Sequence, residues 1–184
     1  MKGVIFNLLE EFVCEGWGYD TYELVMSSCP AHERGPFIGP GTYPDSVLLA
    51  IVAGTAKKLD ITVEQAVRAF GKFAMSKLAA KVPELISHLE SPKALLMSLE
   101  NVIHIEVKKI YPMAEPPTFD YEDPADDKLI MHYYSKRNLC VLMEGLLEGL
   151  ADYYETNLDF TQTHCVNHGD DHCVFDINFN KKLI

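Results

Sequence analysis

The chain contains 184 residues, of which 48% are hydrophobic and 23% charged, a composition typical of a folded protein and not of a disordered or fibrous one. Its length lies within the usual range of roughly 100 to 200 residues for one domain, so we expect a single domain over residues 1–184. The formal net charge of −11, from 27 acidic and 16 basic residues with no basic stripe, argues against binding to nucleic-acid phosphates.

Helices are predicted through the first two thirds of the chain. Apolar residues recur at helical spacing over 4–13, until two glycines interrupt them. The Gly- and Pro-rich segment 37–44 predicts a loop, and an almost wholly apolar helix is expected over 43–59. The longest apolar run, 47–56, is half of the roughly 20 residues that a membrane-spanning helix requires, so we expect no membrane span.

Two further helices are expected before the chain changes character. Thr62 and Gln65, three residues apart, form the start signal known as a capping box for a helix over 63–78. Another strong helix is expected over 93–111, where Pro112 ends it. The prolines and acidic residues of 112–128 then predict a loop.

Strands are predicted in the last third. Apolar and polar residues alternate over 129–137, and further strands are expected at about 159–166 and 173–179, joined by a turn. A helix over 139–154 lies between them and carries Gly145 and Gly149, whose spacing of four allows close backbone approach on one side. The order predicts an α+β fold with a helical N-terminal part.

The first candidate site lies on the predicted strand 129–137. Tyr133, Ser135 and Arg137 occupy alternate positions, so their side chains would share one face. Two hydroxyls and a guanidinium in a row suit an extended dianion, because arginine binds a carboxylate through two parallel hydrogen bonds. An ordinary solvated sheet face is the alternative.

The second candidate is His104, on the predicted helix 93–111. The apolar stripe of that helix is centred near Leu99, Ile103 and Ile110, which places His104 at its flank. The histidine is either an iron or zinc ligand or a partly exposed helical side chain.

The third candidate is a group of cysteines and histidines near the C terminus. The candidate ligands are Cys140, His164, Cys165, His168, His172 and Cys173. Cysteine and histidine are zinc ligands, but buried structural thiols beside polar turn histidines are an equal alternative. The five cysteines of the chain are expected to be thiols or metal ligands and not a disulfide framework.

The chain resembles the heme nitric oxide/oxygen binding (H-NOX) family, which is related to the heme domain of soluble guanylate cyclase. The resemblance covers the whole chain. It rests on the row Tyr133-x-Ser135-x-Arg137, on His104 at the end of Asn-Val-Ile-His, and on the opening Met-Lys-Gly. It implies a helical distal subdomain, about residues 1–60, over a proximal subdomain, about 61–184, that carries a small antiparallel sheet, with heme b between the two.

The resemblance also implies roles for individual residues. Tyr133, Ser135 and Arg137 would bind the heme propionates, His104 would be the iron ligand, and Pro117 would press on the porphyrin. The positions that correspond to the distal pocket carry only apolar residues, namely Ile5, Leu9, Ala74, Leu78, Leu142 and Leu146. Oxygen-binding relatives carry a distal tyrosine at the position of Leu142, so the resemblance favours nitric oxide and carbon monoxide over dioxygen.

Some bacterial relatives hold structural zinc with three cysteines and a histidine. Cys140, Cys165 and Cys173 match those cysteines, whereas the position of the histidine is occupied by Gln162. The sequence therefore leaves zinc open as a second cofactor. His168, or alternatively His164, would have to supply the fourth ligand.

The predicted function is a cytoplasmic gas sensor without catalytic activity of its own, which reports to a separate signalling enzyme. In the family that enzyme is a histidine kinase or a cyclic-di-GMP enzyme. The alternative hypothesis is a thiol or zinc redox switch in which the Cys/His group is the sensor.

Overall fold

The computed structural model describes residues 1–180, which form an α+β fold with helices first and a four-stranded sheet later in the chain. The helices are α1 (Gly3–Trp17), α2 (Tyr19–Ser28), α3 (Asp45–Leu59), α4 (Val63–Lys81), α5 (Pro83–Ile86), α6 (Pro92–Ser98), α7 (His104–Ile110) and α8 (Cys140–Tyr153). The strands are β1 (Thr118–Ala125), β2 (Lys128–Tyr134), β3 (Asn157–His164) and β4 (Cys173–Asn180). No helix in this part of the chain is both long and apolar enough to cross a membrane.

The start of α4 follows the predicted signal. The Thr62 side chain accepts a hydrogen bond from the Gln65 N–H at 3.1 Å, and the Gln65 side chain accepts one from the Thr62 N–H at 2.9 Å. Both donors belong to the first turn, which has no intrahelical acceptors, so the pair fixes where the helix begins.

Two helices, α2 and the four-residue α5, and one strand were not predicted. α2 buries Tyr22, Val25 and Met26, which are spaced for one helix face. The loop predicted over 112–128 is wrong, because β1 occupies much of that segment. β1 lies at the edge of the sheet, where proline and charged residues are tolerated because one side of the strand needs no hydrogen-bonding partner.

The sheet is antiparallel, with the strand order β1-β2-β4-β3. On β2 the residues Leu129, Met131 and Tyr133 are buried, whereas the intervening side chains are more accessible. The sheet therefore turns one face to the helices and leaves its other face, here called the outer face, more polar.

Buried apolar side chains form two clusters. The first joins α1, α2 and α3 to the N-terminal part of α4, as far as Ala74. The second joins the inner face of the sheet to α6 and α8. α4 and α8 pack closely, and both contribute side chains to the two clusters.

The close packing of α4 on α8 depends on glycine, as the spacing of Gly145 and Gly149 predicted. A Cβ atom added at Gly145 would overlap the carbonyl oxygen of Arg68 on α4, and one at Gly149 would overlap that of Lys72. Because these neighbours are backbone atoms of a long helix, they cannot rotate away.

We therefore expect Gly145→Ala to lower the free energy of unfolding by about 3 kcal/mol, the upper part of the usual cost of overpacking. Gly16→Ala is the matched control, since a Cβ atom at Gly16 meets nothing within 4 Å and alanine favours the helix by up to about 1 kcal/mol. Urea unfolding of both variants tests the contact. A Gly145→Ala variant as stable as the parent protein would contradict it.

Candidate functional site

His104 is positioned by an irregular turn of helix. Residues Leu99–Ile103 form a π-helical turn between α6 and α7, and the His104 N–H bonds to the Leu99 carbonyl five residues earlier. The wider turn changes the direction of the side chains that follow it, relative to a continuous α-helix. The predicted apolar stripe is accordingly wrong at its end, because Ile110 is 56% exposed, whereas the His104 side chain is only 13% exposed.

The Nδ1 atom of His104 is buried without a hydrogen-bond partner among the described residues, and the nearest Glu100 carboxylate oxygen lies 3.8 Å away. That oxygen instead accepts the Phe119 N–H at 3.1 Å. Burial lowers the pKa of His104, against opposing effects of Glu100 and the Pro117 backbone. The ring is therefore held neutral, which is the state in which an imidazole binds a metal.

Pro117, to which the resemblance assigns a contact with the porphyrin, lies directly before β1 and is partly buried. Phe119 follows in β1, and its ring centroid lies 5.6 Å from that of His104 and 5.7 Å from that of Tyr133. The start of β1 thus separates the histidine from the end of β2.

Tyr133, Ser135 and Arg137 lie close together, although not on one strand. β2 ends at Tyr134, so the prediction of a strand reaching residue 137 is wrong; Ser135 and Arg137 belong to the turn that leads to α8. The Arg137 backbone N–H donates to the Ser135 hydroxyl at 3.2 Å. Burial raises the pKa of Tyr133 to about 12, an effect that Ser135 opposes, so the phenol keeps its proton and can act as a donor.

Arg137 joins the two halves of the chain. Its Nε donates to the Asp45 carboxylate at 2.7 Å, and its Nη1 donates to the Glu115 carbonyl at 2.7 Å. Asp45 is the first residue of α3 and also accepts from the Met1 amino group. Burial alone would raise the pKa of Asp45, but the Met1 ammonium and the Arg137 guanidinium lower it below its usual value.

The residues expected in a distal pocket belong to the two apolar clusters. On α8, Leu142 packs against the first cluster, while Leu146, one turn later, packs against the second. The others pack with the first cluster and are Ile5, Leu9, Ala74 and Leu78. None of these six side chains carries a hydrogen-bond donor.

Three of the expected zinc ligands come together. Cys140, Cys165 and Cys173 are buried, and their sulfur atoms lie within 4.8 Å of one another. Burial raises the pKa of Cys140 and raises that of Cys173 to about 12, so in this structure both pack as neutral thiols.

The histidines expected to complete that group are not brought to it. His164 and His168 are exposed, and neither belongs to the set of candidate metal ligands within the described residues. The Asn167 amide instead donates to the Cys140 sulfur at 3.1 Å. The reason is their position, since His164 is the exposed last residue of β3 and His168 lies in the exposed connection between β3 and β4.

Three acidic residues of the site were missed by the sequence reasoning. Glu100 could have been found, since it lies four residues before His104 and hence on the same helix face. Asp45 and Glu115 gave no local signal, because their partner Arg137 is distant in the sequence.

Comparisons with known proteins identify relatives of this chain. The model of the family described as Haem-NO-binding matches residues 2–162. Soluble guanylate cyclase gcy-35 of Caenorhabditis elegans is 24% identical over 161 residues, and the match spans 82% of this chain but only 22% of that protein.

Solved structures give the same result. The crystal structure of an H-NOX protein from S. oneidensis in the Fe(II)NO ligation state is 30% identical with a TM-score of 0.90, and the match covers 98% of this chain and 100% of that one. The NMR structure of the SO2144 H-NOX domain from Shewanella oneidensis in the Fe(II)CO ligation state is also 30% identical, with a TM-score of 0.89 and coverage of 99% and 100%.

Proposed function

Because the chain belongs to the Haem-NO-binding (H-NOX) family, we propose that it is a heme-based sensor of nitric oxide and carbon monoxide. H-NOX proteins are gas-sensing modules, and the two ligands are those named in the solved structures above. The role of a bound heme is to offer an iron coordination position to a diatomic gas.

The observation that carries the proposal is the buried Nδ1 atom of His104, which has no hydrogen-bond partner among the described residues. A buried polar atom without a hydrogen bond is costly, and a functional role is a common reason for retaining it. A neutral imidazole fits the chemistry of a proximal heme ligand. The chain contains no Cys-x-x-Cys-His sequence, so we propose non-covalently held heme b.

The row at the end of β2 fits the acidic edge of a heme. Arg137 offers a guanidinium, and Tyr133 and Ser135 offer hydroxyls, at the place where the turn leaves the sheet. These donors suit two propionates, since hydrogen bonds to charged groups are about twice as strong as neutral ones. Arg137 already holds Asp45 and Glu115, so its orientation is fixed in advance.

We expect Arg137→Ala to lower the heme content of the purified protein severalfold, because charge-assisted hydrogen bonds contribute about 1.5–3 kcal/mol each. Arg137→Lys should restore only part of it, since lysine supplies a charge without the planar fork. Absorption of extracted heme, measured per chain, checks the result. Lys136→Ala is the matched control, because it removes a neighbouring charge whose side chain is 84% exposed. Equal heme content in all variants would contradict the propionate assignment.

A signalling partner is proposed from the surface beside His104. Val102, Ile105, Ile110 and Met113 are exposed apolar side chains on or just after the helical segment that carries the histidine. A segment of this kind can pass on the ligand state to a bound protein. We propose that the chain itself is not an enzyme and that its partner is a histidine kinase or a cyclic-di-GMP enzyme. The test is whether nitric oxide changes the activity of such a partner only when this protein is present.

The proposed location is the cytoplasm. The five cysteines are all free, which fits a reducing compartment.

The alternative function of a thiol or zinc redox switch has one supporting observation, the grouping of three sulfur atoms, and lacks a fourth ligand among the described residues. We therefore favour the heme-based function.

A further inference from the structure

A pair of histidines lies on the outer face of the sheet, away from the proposed heme site. His132 alternates with the buried residues of β2, and His172 directly precedes β4. Their rings approach so that Nδ1 of His132 lies 2.9 Å from Nε2 of His172. The ring of Tyr134 stacks on His172 at a centroid distance of 4.6 Å and fixes its plane.

Each of these histidines is also held by a carboxylate through its other ring nitrogen. Nε2 of His132 lies 2.9 Å from a Glu122 oxygen, and Nδ1 of His172 lies 2.7 Å from an Asp171 oxygen. A carboxylate only accepts hydrogen bonds, so the ring proton of each neutral imidazole is drawn to the carboxylate side. With both rings neutral, the two nitrogens that face each other are left with lone pairs, and their contact then needs a shared proton or another cation.

Two lone pairs at 2.9 Å repel unless a positive centre lies between or beside them. Carboxylates that bind the outer N–H of histidines are typical of metal sites, where they fix the tautomer and make the ligating nitrogen more basic. Asp120 lies directly opposite His132 in the β1–β2 register and adds negative charge to the same face. The surroundings thus favour a cation.

The present separation of the nitrogens favours one class of metal. With metal–nitrogen bonds of roughly 2.0–2.1 Å, nitrogens 2.9 Å apart subtend an angle of about 90° at the metal. That is the angle between neighbouring ligands of a square-planar or octahedral ion, whereas tetrahedral zinc needs the nitrogens about 3.3 Å apart. Lone pairs that face each other must each turn by about 45° to reach such a metal, so both rings rotate towards solvent, and the exposed side chains of Glu122 and Asp171 can follow them.

We propose that His132 and His172 form a binding site for a divalent late transition-metal ion of the Ni²⁺ or Cu²⁺ class, with Glu122 and Asp171 as positioning residues and water as the remaining ligands. The site is separate from the thiol group, because Cys173 faces the core on the opposite side of the sheet from His172. It does not depend on the proposed heme function.

The test is a calorimetric titration of the purified protein with Ni²⁺, which oxidises neither thiols nor ferrous heme. We expect His132→Gln and His172→Gln each to weaken binding at least about tenfold, and Asp171→Asn to weaken it by a smaller factor. His88→Gln is the matched control, since His88 is exposed and lies outside the pair, and it should bind as the parent protein does.

The location is checked by NMR, since paramagnetic Ni²⁺ should broaden the amide signals around residues 132 and 172. Broadening centred on Cys140, or equal affinity in the His132→Gln variant, would overturn the proposal. A parent protein that binds no Ni²⁺ would overturn the proposal as well. The contact between the two rings would then be a hydrogen bond with one shared proton.

Discussion

Replacing His104 by alanine will leave the purified protein with less than about a tenth of the heme carried by the parent protein, because the proposed iron ligand is lost. The imidazole is largely buried and neutral, and its Nδ1 has no hydrogen-bond partner among the described residues, which leaves that atom free for a metal. The pyridine hemochrome assay gives the heme content per chain. Supplying free imidazole to a His104→Gly variant should restore incorporation, since the space left by the ring admits a replacement.

Two controls separate ligand loss from loss of folding. His88→Ala removes an exposed histidine and should retain heme in full. The thermal unfolding of heme-free His104→Ala should match that of heme-free parent protein, because the variant loses an unsatisfied polar group as well as packing. Normal heme content in His104→Ala would remove the histidine from its proposed role.

The second large effect concerns the choice of gas. The absorption spectrum of the reduced protein should shift with nitric oxide and with carbon monoxide, and should show no reversible shift in aerated buffer. Stable dioxygen binding to a heme depends on a hydrogen-bond donor over the gas site, whereas the other two ligands need little such help. The six apolar side chains of the proposed pocket, Leu142 among them, supply no such donor. Bound dioxygen therefore lacks a stabilisation of roughly 0.5–1.5 kcal/mol, and more in a dry pocket.

Leu142→Tyr places a phenol at the junction of the two clusters and should make the spectrum respond to dioxygen. Leu142→Phe is its matched control, because it adds the same ring without the hydroxyl and should not respond. A parent protein whose spectrum responds to air as the tyrosine variant does would refute the account of the distal pocket.

Much of the fold could be predicted because its signals are local. The capping box at Thr62 depends on a partner three residues away and is found as expected. The close approach at the glycines of α8 depends on their spacing and is also found as expected. β1 could not be predicted, because its proline and charges are acceptable only at a sheet edge, and edge position is a property of the whole sheet. The π turn before His104 was missed for a similar reason, since apolar periodicity assumes a constant number of residues per turn.

The site was predictable only in part. Tyr133, Ser135 and Arg137 are close in the sequence, so their proximity survives even though β2 ends before Ser135. The partners of Arg137 could not be foreseen, because Asp45 lies 92 residues away. The thiols were expected together and are together. The histidines expected beside them are exposed, His164 at the end of β3 and His168 in the turn that follows, and their spacing in the sequence does not specify these directions.

The most direct test of the central claim is the visible absorption spectrum of the purified, anaerobically reduced protein, recorded before and after nitric oxide is added. The account predicts a Soret band from a stoichiometric heme and a clear shift of that band with nitric oxide. A colourless protein that takes up no added hemin, or a heme spectrum that nitric oxide leaves unchanged, would contradict it.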